Sequence, residues 1–196
     1  MVEELLDDIK LIKVPRELAA QLSLVARRIG TSVSGYSVDA LSQALRIDGM
    51  GSNLEKAVDT YQLVAVHKRA GLVNLPRHSL TQIVSMLPDE AARILNEGST
   101  EAGRWYAAYL SSIFSSDSIL AFLEYDLKIS WNLDEVKIVK EDVMVNFRAA
   151  SFTMTEDVTK LFILYTRGIF EELGYSVSEE DFLPGLVSFR FLKTAS

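Results

Sequence analysis

Apolar positions in the first fifty residues fall into a short alternating run followed by two helical ones. Asp8 to Val14 suits a short strand, and Pro15 suits a helix start, where its missing N–H would lack a partner anyway. Leu18, Leu22, Val25, Ala26 and Ile29 then recur mostly at steps of three and four, which predicts one apolar helix face. Gly30 predicts a stop, and Thr31 or Ser32 a cap for a second helix carrying Val33, Val38, Leu41 and Leu45. The stretch Ile47-Asp48-Gly49-Met50-Gly51-Ser52-Asn53 reads as a joint, so residues 1–50 and 51–196 are expected to form separate parts.

Beyond the joint the pattern is helical first and mixed later. Leu54, Ala57, Val58, Tyr61, Val64 and Ala65 predict a helix over about 53–69, capped by Asn53 and stopped at Gly71. Further helices are expected over Arg77–Met86, from Pro88 to Leu95 with an end at Gly98, over Glu101–Phe114, and over Ile119–Leu127. From residue 128 the period shortens. Lys128–Trp131, Glu135–Lys140 and Val143–Arg148 read as alternating, with Val143, Val145 and Phe147 on one side. Thr153 and Glu156 have capping-box spacing before a helix that Gly174 ends, and Leu186–Phe191 is a strand with Val187, Phe189 and Phe191 on one face. The fold class is therefore α+β, with a mostly helical region and a small C-terminal antiparallel or mixed sheet carrying a packed helix.

Composition narrows the chemistry. The 196 residues include no cysteine, which excludes disulfides, thiolate metal sites and cysteine nucleophiles. Only His67 and His78 are present, so an all-histidine metal site within one chain is excluded as well. Lys plus Arg number 20 against 27 Asp plus Glu, a formal charge of -7. Residues 1–50 hold six basic and seven acidic groups, and the acidic excess lies mainly after the joint. An acidic whole argues against a general positive field but leaves room for a local patch. No run approaches the about 18 apolar residues of a spanning helix, and Met1–Asp8 carries Glu3, Glu4, Asp7 and Asp8 in place of a basic leader. A cytoplasmic protein without membrane contact is expected.

A strand followed by two short helices in about 40 residues buries too little to stand alone. A two-fold pairing of two such strands, with four helices beneath, solves both the unpaired backbone and the small core. The segments Ile9-Lys10-Leu11-Ile12-Lys13-Val14-Pro15-Arg16-Glu17-Leu18 and Ala26-Arg27-Arg28-Ile29-Gly30-Thr31-Ser32-Val33-Ser34-Gly35-Tyr36 resemble a ribbon-helix-helix DNA-binding domain over about residues 8–46. The resemblance implies a homodimer or dimer-based oligomer whose shared β-ribbon enters the major groove of double-stranded DNA, a transcriptional regulator. It places Ile12 and Val14 in the core, Lys13 and Leu11 toward bases with Ile9 beside them, and Ser32, Val33 and Ser34 on the DNA backbone. Lys10 and Arg16 are the flanking backbone contacts.

Leu11 offers a thymine methyl an apolar contact and no hydrogen bond, and Asp7 and Asp8 would repel phosphate. A second reading therefore stands beside the first: a structural or interaction protein that uses the ribbon only to dimerise. A one-residue slip in strand phase would exchange Lys13 for Lys10 on the outer face.

No catalytic constellation stands out. Walker, dinucleotide-glycine, HExxH, calcium-loop and G-x-S-x-G patterns are missing from the sequence. The neighbouring acids Glu141-Asp142, Glu156-Asp157, Glu171-Glu172 and Glu179-Glu180-Asp181 read as solvated faces. Trp105, Tyr106, Tyr109, Phe114, Phe122 and Tyr125 have helical spacing and read as core, or as a small apolar pocket for an effector the sequence does not identify. No enzyme activity, cofactor or metal is expected, and residues 51–196 are assigned a sensing or oligomerising role.

Overall fold

The computed structural model describes residues 11–194, apart from the side chains of Ser116 and Asp117. Among the described residues seven helices precede and interrupt a four-stranded sheet, giving a mixed α+β fold. It divides into two compact units, Met1–Val64 and Ala65–Ser196, and the division falls inside a helix beyond the Gly49–Asn53 turn.

In the first unit, Pro15 precedes α1 (Arg16–Arg28), and Gly30, at φ 74°, reverses the chain after it. Ser32 caps α2 (Val33–Asp48). A second left-handed glycine, Gly51 at φ 74°, closes the turn into α3 (Leu54–Ala70), whose first turn is capped by Asn53 Oδ1 accepting from the Lys56 amide at 2.9 Å. The strand expected over Asp8–Val14 is not formed in the single chain: Leu11–Val14 lie in irregular backbone, and Asp8–Lys10 lie outside the described residues. Ile9 falls outside them too. A lone strand has no ladder partner within this unit, so its hydrogen-bonding groups give it no reason to be regular.

The second unit holds the rest of α3, then α4 (Arg77–Ser85), α5 (Asp89–Ile113), α6 (Ser116–Ser130), β1 (Glu135–Glu141), β2 (Met144–Ala150), α7 (Glu156–Glu172), β3 (Tyr175–Leu183) and β4 (Leu186–Lys193). The sheet is antiparallel throughout, in the order β1-β2-β4-β3. One face is apolar: Val136, Val145, Phe147, Val187, Phe189 and Phe191 are all buried. Against it α7 places Phe162, Ile169 and Phe170, and the Phe170 and Phe191 rings stack at 4.2 Å between centroids. The helices α5 and α6 add Tyr106, Leu110, Leu123 and Leu127 to the same core. Burying a side chain of this size contributes about 1.5–3 kcal/mol.

Four expectations are corrected by this architecture. Gly98 does not end a helix: α5 runs through it, in open space where a flexible backbone costs only about 1 kcal/mol against alanine. Lys128–Ser130 is the last turn of α6 and not a strand. The cap of α7 is Thr155, so Thr153 and Glu156 form no capping box, and Glu156 instead pairs with Lys160 at 2.7 Å. The acidic run Glu179-Glu180-Asp181 lies within β3, an edge strand that sequence periodicity missed. There Glu180 turns inward to pair with Arg167 of α7 and Glu179 pairs with Arg190 of β4.

Helices α5 and α7 cross at two glycines. A Cβ on Gly103 would overlap the Tyr165 carbonyl oxygen, and one on Gly168 would overlap that of Thr100. Arg104 bridges the same crossing to Glu171 at 2.7 Å. Among the described residues no helix is long and apolar enough to cross a membrane. Gly103→Ala and Gly168→Ala are each expected to destabilise the fold by about 3 kcal/mol, because backbone cannot yield as a side-chain tip does. Gly98→Ala, on the open side of the same helix, should be neutral or stabilising by up to about 1 kcal/mol. Urea denaturation midpoints of the three variants check this, and equal midpoints for all three would contradict it.

Candidate functional site

The residues expected to meet DNA all belong to the first unit, and the structure places them on three consecutive stretches. Leu11 and Lys13 lie in the irregular segment before Pro15, and Leu11 is 95% exposed. Arg16 opens α1 and is exposed. Ser32, Val33 and Ser34 form the start of α2, and Lys10 lies outside the described residues. Among the described residues no hydrogen bond or ion pair joins Lys13 or Arg16 to the start of α2, so one chain alone does not assemble them into a cluster.

The start of α2 is a side-chain-capped helix N-terminus. Ser32 is extended and its side chain accepts from the Gly35 amide at 3.0 Å, while the Ser32 carbonyl accepts from the Tyr36 amide at 2.9 Å. The amides of Val33 and Ser34, in the first turn, have no acceptor within their own helix. Those residues are exposed, and the aligned peptide dipoles favour negative charge there. Gly30 sets this geometry: the Thr31 amide returns to the Ala26 carbonyl at 2.9 Å, closing α1 and aiming the chain into the cap.

The apolar side chains around this site are uncovered. Ile12 and Val14, expected in a core, are 69% and 44% exposed, and Leu18, Val38, Leu41 and Leu45 are 44%, 59%, 50% and 73% exposed. Within α1 and α2 only Ala26 is buried, with Leu22 and Val25 half-buried beside it.

Sequence reasoning missed one constellation, in the second unit. Asp126 of α6 is 2% exposed, and both of its carboxylate oxygens are engaged. Oδ1 lies 2.7 Å from His67 Nε2 of α3, and Oδ2 accepts from the Tyr106 hydroxyl of α5 at 2.6 Å. The network ties three helices together through one buried carboxylate. Burial first, then the charge of Asp126, push the Tyr106 hydroxyl well above its ordinary range, and the same two causes raise Tyr165 of α7. Because both oxygens are used, the group acts as a structural pin. The one sequence signal was Asp126 standing beside Leu123 and Leu127, apolar positions at helical spacing along α6. Among the described residues no group of three or more His, Asp or Glu is placed to hold a metal ion.

Asp126→Ala leaves a half-buried imidazole and a buried phenol without their acceptor, and should destabilise the chain by about 2–4 kcal/mol. Tyr106→Phe should cost about 1.5–3 kcal/mol. The raised tyrosines also set an alkaline limit. Their contribution is complete below the unfolded value of 10.0 and is lost as pH rises above it, because the unfolded chain releases the proton first. Stability should fall by about 1.4 kcal/mol per pH unit for each tyrosine kept protonated, and Tyr106→Phe should flatten that slope in denaturation between pH 9 and 11. An unchanged slope would show that Tyr106 titrates freely in the folded chain. No family model matches this sequence, and no curated protein matches it.

Proposed function

We propose that the first unit is one half of a ribbon-helix-helix head shared by two chains, and that the homodimer is a DNA-binding transcriptional regulator. The carrying observation is the uncovered apolar surface of α1 and α2 beside an anion-competent helix start. Each large aliphatic side chain left in water forgoes about 1.5–3 kcal/mol of burial. A second copy supplies the missing cover and also a partner for residues 9–14. In the paired ribbon Ile12 and Val14 turn inward, while Leu11 and Lys13 turn toward base edges. Ser32, Val33 and Ser34 then hold a backbone phosphate through main-chain amides, with Lys10 and Arg16 flanking. Residues beyond the head supply sensing or further assembly, with the effector unspecified.

One observation favours the second reading, a head that only dimerises. Leu11, at a base-facing position, is an apolar side chain 95% exposed, and Lys13 is the one hydrogen-bonding reader beside it.

Fluorescence anisotropy of the full chain on duplex DNA, over a salt series, separates the two. A regulator loses affinity steeply with salt, roughly tenfold or more between 50 and 200 mM, as counterions return to the phosphates. Ser34→Ala keeps the amide and should bind within about twofold of the parent, whereas Ser34→Pro removes it and should lose about tenfold or more. Lys13→Ala should narrow the preference for operator over random duplex. A folded chain that binds no duplex at low salt leaves dimerisation as the head's role.

A further inference from the structure

Among the described residues of the second unit, no helix covers one face of the sheet. Its register sets out a grid. One row across the sheet is Lys137, Arg148, Ser188 and Asp181, and the next is Val139, Asn146, Arg190 and Glu179. The outer rows carry apolar centres, Ala150 beside Leu186 at one end and Met144 beside Leu192 at the other. Leu186 and Leu192 are 47% and 41% exposed. In the two central rows the bases Lys137 and Arg148 lie on β1 and β2 and Arg190 on β4, the acids Asp181 and Glu179 lie on β3, and Glu135 and Glu141 end the outer rows on β1.

Arg190 is matched by Glu179, and Lys137 by Glu124 of α6 at 3.4 Å. Arg148 and Asp181 have no salt-bridge partner among the described residues. They sit two strands apart in the same row, with Ser188 between them. The centre of the face thus leaves one cation and one anion unmatched, on opposite sides of its midline.

We propose that this face packs against the same face of a second copy, about a two-fold axis that runs parallel to the strands between β2 and β4. Packed sheets lie about 10 Å apart with their strands nearly aligned. This axis sets β1 over the partner's β3 and β2 over its β4. Lys137 then faces the Asp181 position, Arg148 reaches that acid from one strand away, and Ala150 and Met144 face the Leu186 and Leu192 positions. A two-fold axis across the strands matches the apolar rows equally well. It sets the Glu135 position over Glu141, however, and Asp181 over Glu179, so like charges oppose. Charge therefore selects the first axis.

Four acids, Glu135, Glu141, Glu179 and Asp181, share the face with three bases, which disfavours a polyanion as the occupant. Four strands about 4.8 Å apart and seven residues long give two copies about 900 Å² of projected contact, below the about 1,200 Å² at which stable specific interfaces begin, so the pairing is a weak one. The inference rests on the sheet alone and holds whether or not the N-terminal head binds DNA.

Because the chain has no cysteine, Ser188→Cys places one thiol near the proposed axis of the full-length protein. A bismaleimide with a spacer of about 10 Å should join two copies in good yield. Arg148→Asp or Asp181→Arg in that background should each cut the yield about tenfold, with circular dichroism unchanged. An equimolar mixture of the two reversed proteins should regain part of it, since position 148 of each copy then meets the opposite charge at position 181 of the other while one Lys137 still faces a reversed position. No cross-link in the parent, a yield insensitive to both reversals, or loss without recovery on mixing would overturn the proposal. So would duplex DNA retained through Arg148 by a protein that does not cross-link.

Discussion

Apolar surface without a cover is the constraint on which the account of the N-terminal unit depends. Two short helices and a turn cannot enclose Leu18, Val38, Leu41 and Leu45, which are 44–73% exposed. Large exposed aliphatic side chains grouped on short helices mark an interaction surface. The segment before Pro15 poses the same problem for the backbone: its amides and carbonyls have no ladder, so it stays irregular. Pairing with an identical segment answers both problems at once.

The second unit obeys a different rule. Its core is closed, and its precision lies in helix contacts that tolerate no added atom. Gly103 and Gly168 let α5 and α7 approach until backbone meets backbone, and Arg104 with Glu171 holds the crossing at its edge. Asp126 then fastens α3 and α5 to α6 from inside.

Much of this was legible in the residues. Pro15, Gly30, Ser32 and Asn53 mark helix ends that the structure places where local chemistry directs, with Asn53 capping α3 at 2.9 Å. The alternation of Val187, Phe189 and Phe191 named the buried face of β4 correctly. Three features escaped. The strand β3 is a polar edge strand whose Glu179 and Glu180 are held by Arg190 and Arg167, partners distant in sequence. Helix α5 continues through Gly98 because its later residues pack on α7, and propensity alone carries no knowledge of that. Asp126 resembles any helix-surface acid until Tyr106 and His67, 20 and 59 residues away, are brought to it. Lys13 and Arg16 make no contact with the start of α2 among the described residues, so the single chain does not gather the candidate DNA contacts into one surface.

The most direct test is a distance between identical positions in two copies. With no native cysteine, Leu11→Cys carries a single spin label, and dipolar spectroscopy on the full chain reads its separation from the label on a second copy. Antiparallel partners lie about 5 Å apart at Cα. A shared ribbon should therefore give a narrow intermolecular distance within about 20 Å once the label's own reach is added. A folded protein with no such coupling would leave residues 9–14 unpaired and remove the physical basis for a shared head.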